Sequence, residues 1–128
     1  SGGDLGARMD HAIRESFLEC DVSSVILIGC DCPLLTSAHL RESAAALASG
    51  FDLILGPAED GGYFLIAVSA PLSYLFTDIQ WGTDEVLATT RRYAIELGLR
   101  IHELETLWDV DDYSDYIRLD CSKMSFLG

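Results

Sequence analysis

The sequence predicts an α/β fold, a mostly parallel sheet flanked by helices. Three observations predict it. The segments 25–28, 52–57 and 63–68 are apolar runs of strand length without polar alternation, the pattern of strands covered on both faces. A segment of helical period separates the first two, and others flank the set. With 49% hydrophobic and 23% charged residues, a chain of 128 residues can bury a core of its own.

The first element is a helix capped by Asp4, with Met9, Ile13 and Phe17 on one face, fading near Cys20 and Asp21. The strand at 25–28 follows. Pro33 then breaks the chain, and Thr36 caps a second helix with Leu40, Ala44, Leu47 and Ala48 inward; Gly50 ends it. The strand at 52–57 runs into a polar hinge, Ala-Glu-Asp-Gly-Gly at 58–62, and the strand at 63–68 leaves it. Residues 71–76 suit a short helix or turn. Thr83 caps the most regular helix: Asp84 and Glu85 suit its positive start, while Val86, Leu87, Thr90, Ala94 and Leu97 share a face, and Gly98 closes it. Residues 99–104 read as a weaker strand and 112–119 as a short final helix. No repeat or linker divides the chain, so 1–128 is expected to be one domain, ordered α-β-α-β-β-α-β-α. The sequence opens on a helix in place of the βαβ unit usual in such folds.

Charge and spacing exclude several functions. Eight basic against 21 acidic residues give a net charge of −13, which repels a nucleic-acid backbone. A small phosphorylated ligand is compatible with that charge when a divalent cation bridges it to the acidic groups. No apolar run reaches the roughly 20 residues of a membrane helix, and no basic-then-apolar leader opens the chain, so a cytoplasmic location is expected. Cys20, Cys30, Cys32 and Cys121 match neither a zinc ribbon nor a C-x-x-C pair. His11, His39 and His102 lack metal-ligand spacing.

Open α/β sheets hold ligands at the carboxyl ends of their strands. Acidic groups fall there three times: Asp31 after the first strand, Glu59 and Asp60 beside Gly61 and Gly62, and Asp109, Asp111 and Asp112 after the last strand. Carboxylates from distant segments suit Mg²⁺ or Mn²⁺ held against phosphates, and glycines let a backbone approach a ligand. The same residues also suit a helix cap at Asp31 and an ordinary turn at 60–62.

The order of these pieces carries a resemblance. Gly-Asp-Leu-Gly-Ala-Arg-Met at 3–9, Leu-Ile-Gly-Cys-Asp-Cys-Pro-Leu-Leu-Thr at 27–36, Leu-Gly-Pro-Ala-Glu-Asp-Gly-Gly-Tyr-Phe-Leu-Ile at 55–66, Trp-Gly-Thr at 81–83 and Asp-Val-Asp at 109–111 together resemble the radical-SAM/selenodomain-associated transferase 1 family. These are glycosyltransferase-like proteins with the nucleotide-diphospho-sugar transferase (GT-A) fold, and the resemblance spans about residues 3 to 118. It implies that Asp31 binds the divalent cation, completed by Asp111 with Asp109 as the alternative. It implies that Gly3, Asp4 and Gly6 border the nucleotide, with Arg8 near a phosphate, and that Asp60 acts on the acceptor side as a base or hydroxyl partner. Cys30 stands where a threonine is more usual. The family's opening strand and glycine loop are not in this sequence, so the chain corresponds to the C-terminal portion of the fold.

The expected function is metal-dependent transfer from a nucleotide sugar. Nucleotidyl transfer from a nucleoside triphosphate shares the same metal site. The alternative class is a non-catalytic module that uses an exposed sheet edge to bind a partner or form a homo-oligomer.

Overall fold

The computed structural model describes residues 2–19, 24–29, 36–59, 61–79, 83–107 and 116–119. In chain order these form α1 (Gly2–Glu19), β1 (Val25–Gly29), α2 (Ser37–Ala48), β2 (Leu53–Pro57), β3 (Tyr63–Val68), a 3-10 turn (Ser73–Phe76), α3 (Val86–Glu96), β4 (Ile101–Glu103) and β5 (Tyr116–Leu119). The strands make one sheet in the order β4-β2-β3-β1-β5. The α/β architecture is the expected one.

The strand directions differ from expectation. β3 runs antiparallel to both β1 and β2, β5 runs antiparallel to β1, and β2 with β4 is the parallel pair among the described strands. The sheet is mixed rather than mostly parallel. The cause is the link 58–62, far shorter than the dozen or so residues that a parallel crossover needs. β3 therefore turns straight back along β2 and inserts between β2 and β1. The end of the chain differs too. Tyr116–Leu119 is a strand, not part of a final helix, and it pairs with β1 from Ile26↔Leu119 to Gly29↔Tyr116.

Alternation along the strands divides the core into two layers. Val25, Leu27, Leu53, Leu55, Ile66 and Val68 pack with Met9 and Ile13 of α1 and with Val86, Leu87 and Ala94 of α3. Ile26, Ile54, Leu65 and Ala67 face the other way, onto Ala46, Leu40 and Leu47 of α2. One irregularity interrupts the alternation. The register passes from Gly56↔Leu65 to Pro57↔Tyr63, leaving Phe64 as an extra residue. Phe64 and Leu65 consequently share the α2 layer, while Tyr63 turns to the α3 layer. Such bulges re-aim side chains near the end of a strand. The Phe64 ring lies across Gly56, where an added Cβ would come within 2.5 Å of it.

The helices correct some sequence details. α1 begins at Gly2, so Asp4 lies in its first turn instead of capping it. Thr36 is the N-cap of α2, as expected, but the buried face is His39, Ser43 and Ala46, with Ala48 exposed. The face is rotated because polar residues occupy it and satisfy themselves locally: Ser43 Oγ donates to the His39 carbonyl at 2.9 Å. The N-cap of α3 is Glu85; the Thr83 hydroxyl accepts from the Glu85 N–H at 3.3 Å. Val86, Leu87, Thr90 and Ala94 are buried as expected, joined by Tyr93, whereas Leu97 is 44% exposed.

β4 is tied to both helix layers. Glu103 takes two hydrogen bonds from the Arg91 guanidinium of α3, each 2.6 Å, and His102 points oppositely, toward α2. The Arg91 and Glu103 side chains are 40% and 32% exposed, so solvent screens the pair. Arg91→Met is expected to lower unfolding free energy in urea by under about 1 kcal/mol, and less in high salt.

Candidate functional site

β1, β2 and β4 point the same way, and their carboxyl ends define one rim of the sheet. α2 follows β1 and so starts at this rim. α1 packs against β1 and against Ser73–Phe76, where Asp10 accepts the Ser73 hydroxyl at 2.6 Å; Gly3, Asp4, Gly6 and Arg8 occupy its first two turns. Gly6 is buried and Arg8 exposed. α3 also starts at this rim: the Gly61 carbonyl accepts the Leu87 N–H at 2.9 Å.

The turn 58–62 forms the middle of the rim. Ala58 N–H donates to the Gly62 carbonyl at 3.0 Å and Gly61 N–H to the Ala58 carbonyl at 3.1 Å. Gly61 has φ of 94°, and a Cβ there would collide with the Asp84 carbonyl and stand 2.6 Å from its Cα. At this glycine the close approach that the structure describes is to the start of α3 and not to a ligand.

The segment after β4 continues beside this turn. Ala58 and Leu107 form a parallel bridge, with Leu107 N–H on the Pro57 carbonyl at 2.9 Å and Glu59 N–H on the Leu107 carbonyl at 3.1 Å. The chain therefore leaves for Asp109 and Asp111 from a point fixed against the hinge. On the α2 side, Thr36 N–H donates to His39 Nδ1 at 2.9 Å, and His39 Nε2 lies 3.2 Å from Glu105 Oε2.

The structure thus brings together the flanks of the acidic loops. Asp31, Asp60, Asp109 and Asp111 themselves lie outside the described residues, as do Cys30, Cys32, Trp81 and Trp108. Among the described residues no group of three or more His, Cys, Asp or Glu side chains could hold a metal ion. His39 was missed as a rim residue. Its signal was Thr-x-x-His at 36–39, the spacing of a capping box with histidine in place of Glu or Gln.

The charge of the described rim is acidic: Glu59, Asp84, Glu85 and Glu105 are there with few bases. Each helix start contributes roughly half a positive charge, too little to offset that many carboxylates. Behind the rim, Tyr63 and Thr90 place their hydroxyls against each other in the core; burial pushes the Tyr63 phenol pKa up, and Thr90 opposes the shift. No helix among the described residues is long and apolar enough to cross a membrane.

The chain is similar to known proteins. A crystal structure from Desulfovibrio desulfuricans G20, of a protein designated a nucleotide-diphospho-sugar transferase, superposes with a TM-score of 0.75 at 30% identity. The match covers 84% of this chain and 47% of that one. The 2-phospho-L-lactate guanylyltransferase of Methanocaldococcus jannaschii is 34% identical over 58 residues, 45% of this chain and 25% of the relative. The chain thus spans about half the length of the first and a quarter of the second in these matches. Its fold is nucleotide-diphospho-sugar transferase-like. Residues 1–83 match the bacterial family described as "uncharacterized protein conserved in bacteria", and the chain belongs to that family, DUF2064.

Proposed function

We propose that this chain forms the cation- and phosphate-binding part of a transferase that uses a nucleotide-diphospho-sugar donor, within the narrower radical-SAM/selenodomain-associated group that its motifs resemble. The observation that carries the reading is the convergence of 36–39, 58–62 and 104–107 at one rim, each adjoining a loop that bears an expected acidic residue. An acidic rim with weak helix-start compensation repels a bare diphosphate. Carboxylates at Asp31 and Asp111, with Asp109 as alternative, are hard oxygen donors suited to Mg²⁺ or Mn²⁺. Bound there, the cation supplies neutralisation of the charge that develops on a leaving diphosphate. Asp60, next to the Gly61 turn, is assigned to the acceptor hydroxyl as a base or hydrogen-bond partner. Gly3, Asp4, Gly6, Arg8 and Gly62 border the donor.

Nucleotidyl transfer is the second reading, favoured by the matched guanylyltransferase. Calorimetry with ATP, GTP, CTP, UTP, UDP-glucose and GDP-mannose, each with Mn²⁺, tests both. Binding that requires Mn²⁺ and weakens at least tenfold, about 1.4 kcal/mol, in Asp31→Ala is the expected result. Release of nucleoside diphosphate then indicates glycosyl transfer, and release of pyrophosphate nucleotidyl transfer. Silence across all donors refutes both and favours the non-catalytic module, for which light scattering would show self-association through an outer strand.

A further inference from the structure

Two His–Glu pairs close the seam between α2 and the β4 segment. His39 Nε2 lies 3.2 Å from Glu105 Oε2, and Glu42 Oε2 lies 2.8 Å from His102 Nε2. The pairs are crossed: α2 gives the histidine to one and the glutamate to the other. They differ in what else the histidine holds. The His102 ring packs on Phe51, with centroids 5.3 Å apart, away from the rim. His39 is 6% exposed, and its ring meets Phe64 edge-on at 5.5 Å, so the bulge that re-aims Phe64 also fixes this imidazole. His39 Nδ1 accepts the Thr36 N–H and is therefore unprotonated. In the neutral ring the proton sits on Nε2, which donates to Glu105. Both nitrogens are committed, one to the residue that follows loop 30–35 and the other to the segment that leads into 108–111.

We propose that His39 is a positioning residue of the rim, registering the start of α2 against the segment after β4. It fixes Thr36 against the segment 104–107 through its two ring nitrogens. Its link to catalysis rests on the phosphate-binding reading of the rim. His39 acts through Thr36 and Glu105 and touches no substrate itself.

Hydrogen–deuterium exchange and calorimetry on three variants test this. Glu105 and Glu42 side chains are 74% and 51% exposed, so substitutions there leave the core intact. Glu105→Ala is expected to speed exchange at the Thr36 and Leu107 amides. It should also weaken binding of GTP or UDP-glucose with Mn²⁺ by threefold or more. Glu105→Gln keeps an oxygen for the Nε2–H and should restore both. Glu42→Ala, which breaks the pair farther from the rim, should change neither. Unchanged exchange and affinity in Glu105→Ala overturn the proposal, as do equal effects of Glu42→Ala and Glu105→Ala. If wild-type protein binds no probe, the phosphate-site reading fails, while the exchange comparison still decides whether His39 registers the two segments.

Discussion

Gly61→Ala is expected to destabilise the protein by about 3 kcal/mol or more, a large fraction of the roughly 5–15 kcal/mol available to a domain. Two costs combine. Gly61 has φ of 94°, a conformation that costs an L-residue about 1–3 kcal/mol. The new Cβ would also press on the backbone of Asp84, which cannot rotate away as a flexible side chain would. Relief would require the start of α3 to withdraw, loosening the 2.9 Å bond from Leu87 N–H to the Gly61 carbonyl. Gly98→Ala separates the two costs. Gly98 has φ of 72° with nothing within 4 Å of an added Cβ, so it should lose only the conformational part, about 1–2 kcal/mol. Urea unfolding of both variants is the measurement. Equal losses would show that the contact with Asp84 contributes nothing. A loss at Gly61 that also weakens nucleotide binding in the folded fraction would tie the α3 start to the rim.

The comparison between the two glycines also shows what kind of information the sequence carried. Gly61-Gly62 after a strand suggested room for a ligand to approach the backbone; what the structure describes at Gly61 is packing against Asp84, distant in sequence. The buried strands β1, β2 and β3 were legible because runs such as Val25–Leu27 have no polar residue to place outward. The direction of β3 was legible in principle, from the shortness of 58–62. The bulge at Phe64 was not, since one extra residue leaves no mark in an all-apolar run. The buried face of α2 was misread because His39 and Ser43 are polar by type and buried through hydrogen bonds, of which the Thr-x-x-His spacing at 36–39 marks the first while the Ser43 bond to the His39 carbonyl leaves no mark. The acidic residues expected at the site, Asp31, Asp60, Asp109 and Asp111, come from motif order, and the described structure supplies their flanks.

The second large effect is expected at alkaline pH, through Tyr63. Its side chain is fully buried in the α3 layer, and burial raises its pKa above the usual value of 10.0. In the unfolded chain the phenol titrates near 10.0; in the native protein it keeps its proton to higher pH. Below pH 10 both states hold the proton, and the stabilisation of the protonated native form is present in full. As pH rises past 10 the unfolded state alone loses the proton, and stability falls by about 1.4 kcal/mol per pH unit. Over pH 10 to 12 that amounts to roughly 2–3 kcal/mol from this residue. Tyr63→Phe removes the titration together with the weak Tyr63–Thr90 contact, so its effect near neutrality is expected to stay within about 1 kcal/mol. The two proteins should therefore be close in stability at pH 7, and Tyr63→Phe should become the more stable between pH 10 and 12. Pairing Tyr63→Phe with Thr90→Val removes both hydroxyls and should keep the flatter alkaline profile. Denaturant unfolding across pH compares the three proteins, with every other titrating group common to all. Parallel curves for wild type and Tyr63→Phe above pH 10 would mean that the phenol ionises as readily in the native protein as in the unfolded chain, and that the Tyr63–Thr90 pair is open to water.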